Sequence, residues 1–456
     1  MPPIRPARPC GANGPSAGRR ALLSAIGLGS LAACGGVYLE IGGVPVVMSL
    51  NARVRSSTQV ALEWSAYSGP ISEYSVQRDG VEIARTLATD FLDAGAEPGE
   101  GHCYVVLAIG GSWQALGRSN RDCVDVPQVA PGWNLAELGD GAQAGVAVSV
   151  TGLAAVCIAG GATPRVRVTR NPLGAPGLVT IDAQATGGCA IAFDGPGAAH
   201  VAYGTASGMR YATDASGVWL VTGVHAGADS APPAIALGGD GRAAIAYTRG
   251  SAVMLARRFG NDWSRETVLS AAGPRLAPHR LAFGADGQPR VLVASEEDGG
   301  TRLRLRLLAH QGGSWRTLLD RQGLGSAGAL ALEAGGAASV AHWERNPAAL
   351  GASDAWRLVR VPIGADGRAG AAETIATDSA VGGAPALTVD AFGLRRLAWA
   401  SATNRLEVAT EDARGWSVQT LRTGDFDAVY AAVGLYGCMQ VVFRELLDAT
   451  IRYAAQ

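Results

Sequence analysis

The chain has 456 residues, enough for two or three domains, and a formal net charge of −1, so it offers no basic field to a nucleic-acid backbone. All 38 basic residues are arginine, which excludes Schiff-base and P-loop lysine chemistry. Only 17% of residues are charged, and short apolar runs separated by Gly, Asp, Asn and Pro read as strands and turns.

In chain order, the first feature is Arg19-Arg20 followed by the apolar run Ala21–Leu31 and then Ala32-Ala33-Cys34. The run is shorter than the roughly 20 apolar residues a membrane span needs, and it fits the core of an export signal. Leu31-Ala32-Ala33-Cys34 resembles the lipobox of bacterial lipoproteins. The resemblance implies that residues 1–33 are a signal peptide, that Cys34 receives a diacylglyceryl group with further acylation (a palmitate-type chain), and that the protein reaches its partner, the membrane, through this lipid. Gly35 in the position after the cysteine implies the outer membrane. Residues 34–43 are expected to be a linker. Export agrees with seven cysteines, of which Cys10 lies in the leader and five follow the anchor.

Residues 44–127 alternate as short strands. Val60–Trp64 and Tyr74–Arg78 are two of them, Asp79-Gly80 is a tight turn, and Cys103–Ala108 and Ser119–Val124 complete the pattern. Cys103 and Cys123 are centred on residue 113, so a hairpin of the last two strands places them opposite each other and predicts a disulfide. The module resembles a fibronectin type III domain. Trp64 stands where that family has its core tryptophan and Tyr104 where it has its corner tyrosine. The expected role is a spacer.

Residues 130–456 repeat. Turn glycines recur at Gly152, Gly197, Gly241, Gly287, Gly336, Gly393 and Gly437, each between two apolar runs, and the second run usually carries an aromatic six residues later, such as Tyr203, Tyr247, Trp399 or Phe443. A third strand follows, then a fourth opened by tryptophan at Trp219, Trp263, Trp315 or Trp416. Four strands per unit describe a propeller blade. The last unit stops after a third strand at Ile451–Ala455, and Trp133–Leu138 supplies the missing fourth, which predicts seven blades. Asp240-Gly241, Ala246-Tyr247 and Asn261-Asp262-Trp263 resemble the Asp-Gly…Ala-Tyr…Gly-x-Trp repeats of bacterial sialidase-like and lectin-like propellers, although the full sialidase box Ser-x-Asp-x-Gly-x-Thr-Trp does not occur. The fold expected is therefore all-β, a fibronectin type III-like β-sandwich plus a seven-bladed β-propeller.

The turn aspartates Asp194, Asp240, Asp286 and Asp390 are read as caps of local backbone donors, and the blade tryptophans as packing. Cys157 and Cys189 either pair across neighbouring units or, like Cys438, are buried thiols. Departures from the repeat point to a ligand face: Arg249, His279, Arg280, Glu296, Glu297, Asp298, Glu344, Arg345 and Trp356 are candidate ligand-binding residues around the channel mouth. Trp356 has a second reading, as the start of a third strand that simply packs. No catalytic set is read: the six histidines lack metal-ligand spacing, no Gly-x-Ser-x-Gly elbow occurs, and adjacent Glu296-Glu297 cannot flank one glycosidic bond. No cofactor or metal is expected. The reading is a lipid-anchored binding or scaffold protein for a glycan or protein ligand. A glycan-acting hydrolase or lyase of sialidase-like type is the alternative.

Overall fold

The computed structural model describes residues 44–456 apart from 57–58, 94, 97–99, 112, 127–131, 175–176, 230, 272–274, 298–301, 413–414 and 435–436. Cys34 and the export signal lie outside the described residues. Among the described residues the regular elements are strands apart from two 3-10 turns, Ala334–Gly336 and Ala352–Asp354, and the chain forms two compact units divided between Gly132 and Trp133. No helix among the described residues is long and apolar enough to cross a membrane.

In the first unit, Leu50–Ser56, Gln59–Trp64 and Asp90–Asp93 form one antiparallel sheet. The second sheet takes Val46–Met48, Ala115–Ser119, Gly101–Ile109, Glu73–Arg78 and Val81–Thr86 in that order. Alternation along Gln59–Trp64 buries Val60, Leu62 and Trp64 in one core with Val76, Tyr104 and Val106. The fully buried Tyr104 donates its hydroxyl to Asp93 Oδ2 at 2.9 Å, and Arg78 Nη1 reaches the same oxygen at 2.8 Å. The run expected as one strand over Ser119–Val124 is instead two, Ala115–Ser119 and Asp122–Asp125. Asn120 lies between them because its side-chain amide bonds both Leu50 N (2.7 Å) and Leu50 O (3.1 Å), standing in for a ladder partner. The later piece still pairs with Gly101–Ile109 and sets Cys103 opposite Cys123, and the two form a disulfide. In chain-entropy terms, closing a loop of this length contributes about 3 kcal/mol.

The second unit holds, among the described residues, seven four-stranded antiparallel sheets, numbered here as units 1 to 7. Unit 1 begins with Gln143–Val148 and unit 6 ends with Gly415–Thr423. Unit 7 is composite: Phe426–Val433, Met439–Glu445 and Thr450–Ala455 are completed by Asn134–Asp140, in the register Leu135↔Ala454 and Ala136↔Tyr453. Each first strand packs on the first strand of the next unit, and that of unit 7 packs on that of unit 1, so the sheets close a ring. At the seam, Arg452 of the third strand bonds Glu445 at 2.5 Å, Asp448 at 2.5 Å and, across it, Glu137 at 3.0 Å. Apolar faces meet between units. Trp343 and Trp399, both almost fully buried, share a cluster of units 5 and 6, and Trp219, Trp263, Trp315 and Trp416 pack in such clusters. Cys157, in the second strand of unit 1, is disulfide-bonded to Cys189, in the first strand of unit 2. The alternative of buried thiols is thus corrected for this pair, which packs against Gly145 where there is no side chain, and for Cys438 as well, which is disulfide-bonded.

The seven turn glycines share one cause. Every one has φ between 69° and 94°, a region costly for any residue with a Cβ. In six of the seven units its N–H donates to the carbonyl three residues back, as from Gly197 to Asp194 and from Gly287 to Gly284. The turn is capped in two ways. In units 2 and 6 an Asp three residues before the glycine accepts the N–H one residue after it: Ala198 N to Asp194 Oδ1 (2.6 Å) and Leu394 N to Asp390 Oδ1 (3.0 Å). In units 3 and 4 that position is glycine, and the Asp immediately before the turn glycine takes the same donor: Arg242 N to Asp240 and Gln288 N to Asp286, both at 3.0 Å. The two caps exclude each other. A Cβ at Gly238 or Gly284 would stand 2.7 or 2.5 Å from the carboxylate of Asp240 or Asp286.

Candidate functional site: the central channel

The first strands line a channel of about 480 Å³. The narrow inner circumference demands small residues, and at Gly328 a Cβ would meet Ala341 O at 2.7 Å. Prolines suit the lining as well. Pro232, Pro233, Pro278 and Pro385 have no N–H to leave unpaired on the inner edge.

Against this apolar wall stand Gln143, His279, Arg280, Asp427 and Tyr430. His279 and Arg280 belong to the first strand of unit 4, Leu276–Phe283. Its register runs from Pro278↔Val293 to Arg280↔Leu292, so His279 is the extra residue of a bulge. In a regular strand, neighbouring side chains point to opposite faces; the bulge breaks that alternation, and both residues line the channel.

The electrostatics are unbalanced. Arg280 donates Nη1 to the carbonyl of His279 at 3.0 Å, and among the described residues it has no carboxylate partner. Asp427, the one carboxylate among the described lining residues, is held by Arg444, whose Nε donates to Oδ1 at 2.8 Å. His279 and Arg280 are partly open to the channel, yet protein surrounds them, and this enclosure dominates their titration. Burial lowers the Arg280 pKa, with nearby Tyr430 opposing the shift. Burial, then the charge of Arg280, brings the imidazole of His279 down to about 4, so it is neutral at physiological pH. Burial raises the phenol of Tyr430. The channel therefore presents one fixed cation, a neutral imidazole and a protonated phenol. A cation without an internal counter-ion in a confined, poorly solvated space favours an entering anion. Among the described residues, no group of three His, Cys, Asp or Glu could hold a metal ion.

Of the other residues singled out by sequence, Arg249 and Glu296 are exposed at the outer ends of second strands. Glu297 closes the strand of Glu296, and Asp298 lies outside the described residues. Glu344 accepts from Arg357 Nη2 at 2.5 Å and faces His342 Nε2 at 3.3 Å; the bond to His342 leads the causes that hold its carboxyl low. Arg345 stacks on Trp356, 4.2 Å from the ring centroid, in the register Arg345↔Trp356. Trp356 opens the third strand and packs, the second of the two readings given above. Of this group the channel lining includes His279 and Arg280. Sequence reasoning missed Gln143, Asp427 and Tyr430. The available signal was polarity inside first strands that are otherwise small and apolar, as in Phe426–Val433.

No family model matches the chain, and no curated protein matches it. Among solved structures it is similar to the Hadza microbial sialidase Hz136, with 10% identity and a TM-score of 0.41 over 90% of this chain and 97% of that one. It is similar to an α-L-arabinofuranosidase from Fusarium graminearum, with 10% identity and a TM-score of 0.40 over 60% and 93%. An auxiliary nutrient binding protein from Bacteroides thetaiotaomicron shows 9% identity and a TM-score of 0.37 over 90% and 98%. The structural neighbours are thus sialidase-like and arabinofuranosidase-like β-propeller proteins, both hydrolases and a binding protein.

Proposed function

We propose that the protein is an exported, lipid-anchored binding protein of the cell envelope. In this reading Cys34 carries the lipid, a fibronectin type III-like sandwich over 44–127 is the spacer, and a seven-bladed propeller over 130–456 is the recognition body. Its ligand, a glycan or a protein segment, presents an anionic group to the channel. The observation that carries the ligand site is Arg280, a channel-lining guanidinium without a carboxylate partner among the described residues. Binding is favoured over glycoside hydrolysis because most glycosidases use two carboxylates across the scissile bond. The described lining offers Asp427, already held by Arg444. Tyr430 is a poor nucleophile, since burial raises its pKa.

Two measurements test the proposal. A thermal-shift screen of the full chain against acidic and neutral oligosaccharides and peptides is expected to yield acidic ligands whose stabilisation disappears in Arg280→Ala. Ligands that stabilise Arg280→Ala equally would refute the channel site. Cys34→Ala is expected to release the protein from membranes and abolish labelling by a fatty-acid analogue; unchanged fractionation would refute the anchor.

A further inference from the structure

We infer a second ligand site, independent of the channel: the cleft between units 3 and 4, among their first-to-second-strand turns, binds a ring-bearing monoanion the size of a hexuronate. The cleft measures about 440 Å³ and lies at the end of the sheets opposite the unit-to-unit links. Arg242, Arg257 and Arg258 line it together with Phe259 and Phe283.

The three guanidinium groups differ from the tightly paired arginines of the ring. Arg210, Arg304, Arg395 and Arg452 each donate to a carboxylate within 2.7 Å. None of the cleft arginines donates a hydrogen bond to a carboxylate among the described residues. Arg242 Nε stands 3.6 Å from Asp240 Oδ2, while the other oxygen of Asp240 is occupied as a turn cap. Arg257 Nη2 is 3.7 Å from Glu266, and its buried Nε has no hydrogen-bond partner. Arg258 is held in place by neutral groups, with Nε donating to Gly260 O at 3.2 Å and Nη1 to the hydroxyl of Tyr211 at 3.0 Å. The second carboxylate of the cleft, Asp286, caps Gln288. Arg258 spends its guanidinium on Tyr211 of unit 2, so the donors open to the cleft are those of Arg242 and Arg257, whose carboxylate neighbours stand at 3.6 and 3.7 Å, and two such guanidinium groups can take a carboxylate in two-pronged fashion.

The ring requirement comes from Phe259. It is 68% exposed, and Arg242 lies over it at 5.3 Å from the centroid. An exposed phenylalanine beside a cation forms a platform on which the C–H face of a sugar ring packs while its carboxylate meets the guanidinium groups. The volume admits one or two such rings.

The test is calorimetric titration of the full chain with D-glucuronate, with D-glucose as the neutral ring and inorganic sulfate as the ringless anion. Saturable binding of glucuronate is expected, at least tenfold tighter than either comparison ligand. Arg242→Ala should weaken it about tenfold and Phe259→Ala about fivefold, and both residues are exposed enough that the thermal midpoint should hold. Arg280→Ala should leave it unchanged, which separates this site from the channel. Absence of saturable binding, equal affinity for glucose or sulfate, wild-type affinity in both cleft variants, or loss in Arg280→Ala would each overturn the proposal.

Discussion

Units 4 and 6 solve the same structural problem with opposite results. In unit 6, Asp390 caps its turn with one oxygen and with the other meets Arg396, the half-buried residue three positions after the turn glycine, at 3.1 Å. Unit 2 repeats this with Asp194 and His200 at 3.2 Å, and in unit 5 the acid in the same position, Glu333, meets Ser339 at 2.5 Å. Unit 3, with Gly238 in the acidic position, has apolar Ala244 opposite. Unit 4 breaks the rule. It has Gly284 where an acid is needed and Arg290 where a partner waits, 5% exposed, with Nε and Nη1 unpartnered. The first strand of unit 6, Ala386–Val389, carries no charge, whereas that of unit 4 carries the bulge with His279 and Arg280. Unit 4 also forms one wall of the arginine cleft. The comparison teaches that the acid of units 2 and 6 answers the polar residue three positions after the turn glycine, and that unit 4, which has glycine in the acid's place, leaves Arg290 without a carboxylate among the described residues.

The comparison can be broken most severely at Asp390. Asp390→Ala removes a cap and leaves the half-buried Arg396 without its carboxylate, so a loss of about 3 kcal/mol is expected in urea unfolding. A smaller effect should appear in acid. The folded pKa of His279, about 4, lies below its ordinary 6.5, so the unfolded chain takes up this proton first. Its contribution is complete above pH 6.5 and is lost as pH falls toward 4. His279→Gln should therefore lose less stability than wild type between pH 7 and 4.5, while His200, also lowered chiefly by burial, continues to contribute. Arg290→Met should work in the opposite direction to Asp390→Ala. Replacing an orphaned buried cation with an apolar side chain is expected to stabilise by about 1 kcal/mol, and any loss would show that Arg290 has a partner in solution. The finest test imports the unit 6 cap. Gly284→Asp with Asp286→Ala should gain about 0.5 kcal/mol by pairing with Arg290, whereas Gly284→Asp alone should gain nothing, because its Cβ would meet Asp286.

The ring pattern was legible because its cause is local. A turn that needs positive φ shows as glycine wherever it occurs, and seven such glycines mark seven first-to-second-strand turns. Cys103 and Cys123 were legible for a similar reason, since a hairpin maps spacing onto register. Asn120 was not, because its partner Leu50 is 70 residues away. Arg280 was visible as a departure from the repeat, but its missing counter-ion was not: that Asp427 belongs to Arg444 depends on which oxygen each guanidinium reaches. Tyr430 sits opposite in sequence and near in space, and only closure of the ring brings it beside Arg280. The arginine cleft, too, arises between units and has no signature within either.

The salt bridge between Arg452 and Glu137 spans 315 positions of the chain. Polypeptides emerge vectorially, so the strand Asn134–Asp140 must wait for its unit 7 partner, Thr450–Ala455, while six complete sheets are laid down. Each preceding unit can fold as it appears, from contacts local to it and its neighbour. Ring closure is the one event that depends on both ends of this unit at once, and it leaves an edge open to wrong partners until Thr450–Ala455 arrives. A chain cut a few residues before Thr450 would therefore keep Asn134–Asp140 without its partner strand in unit 7.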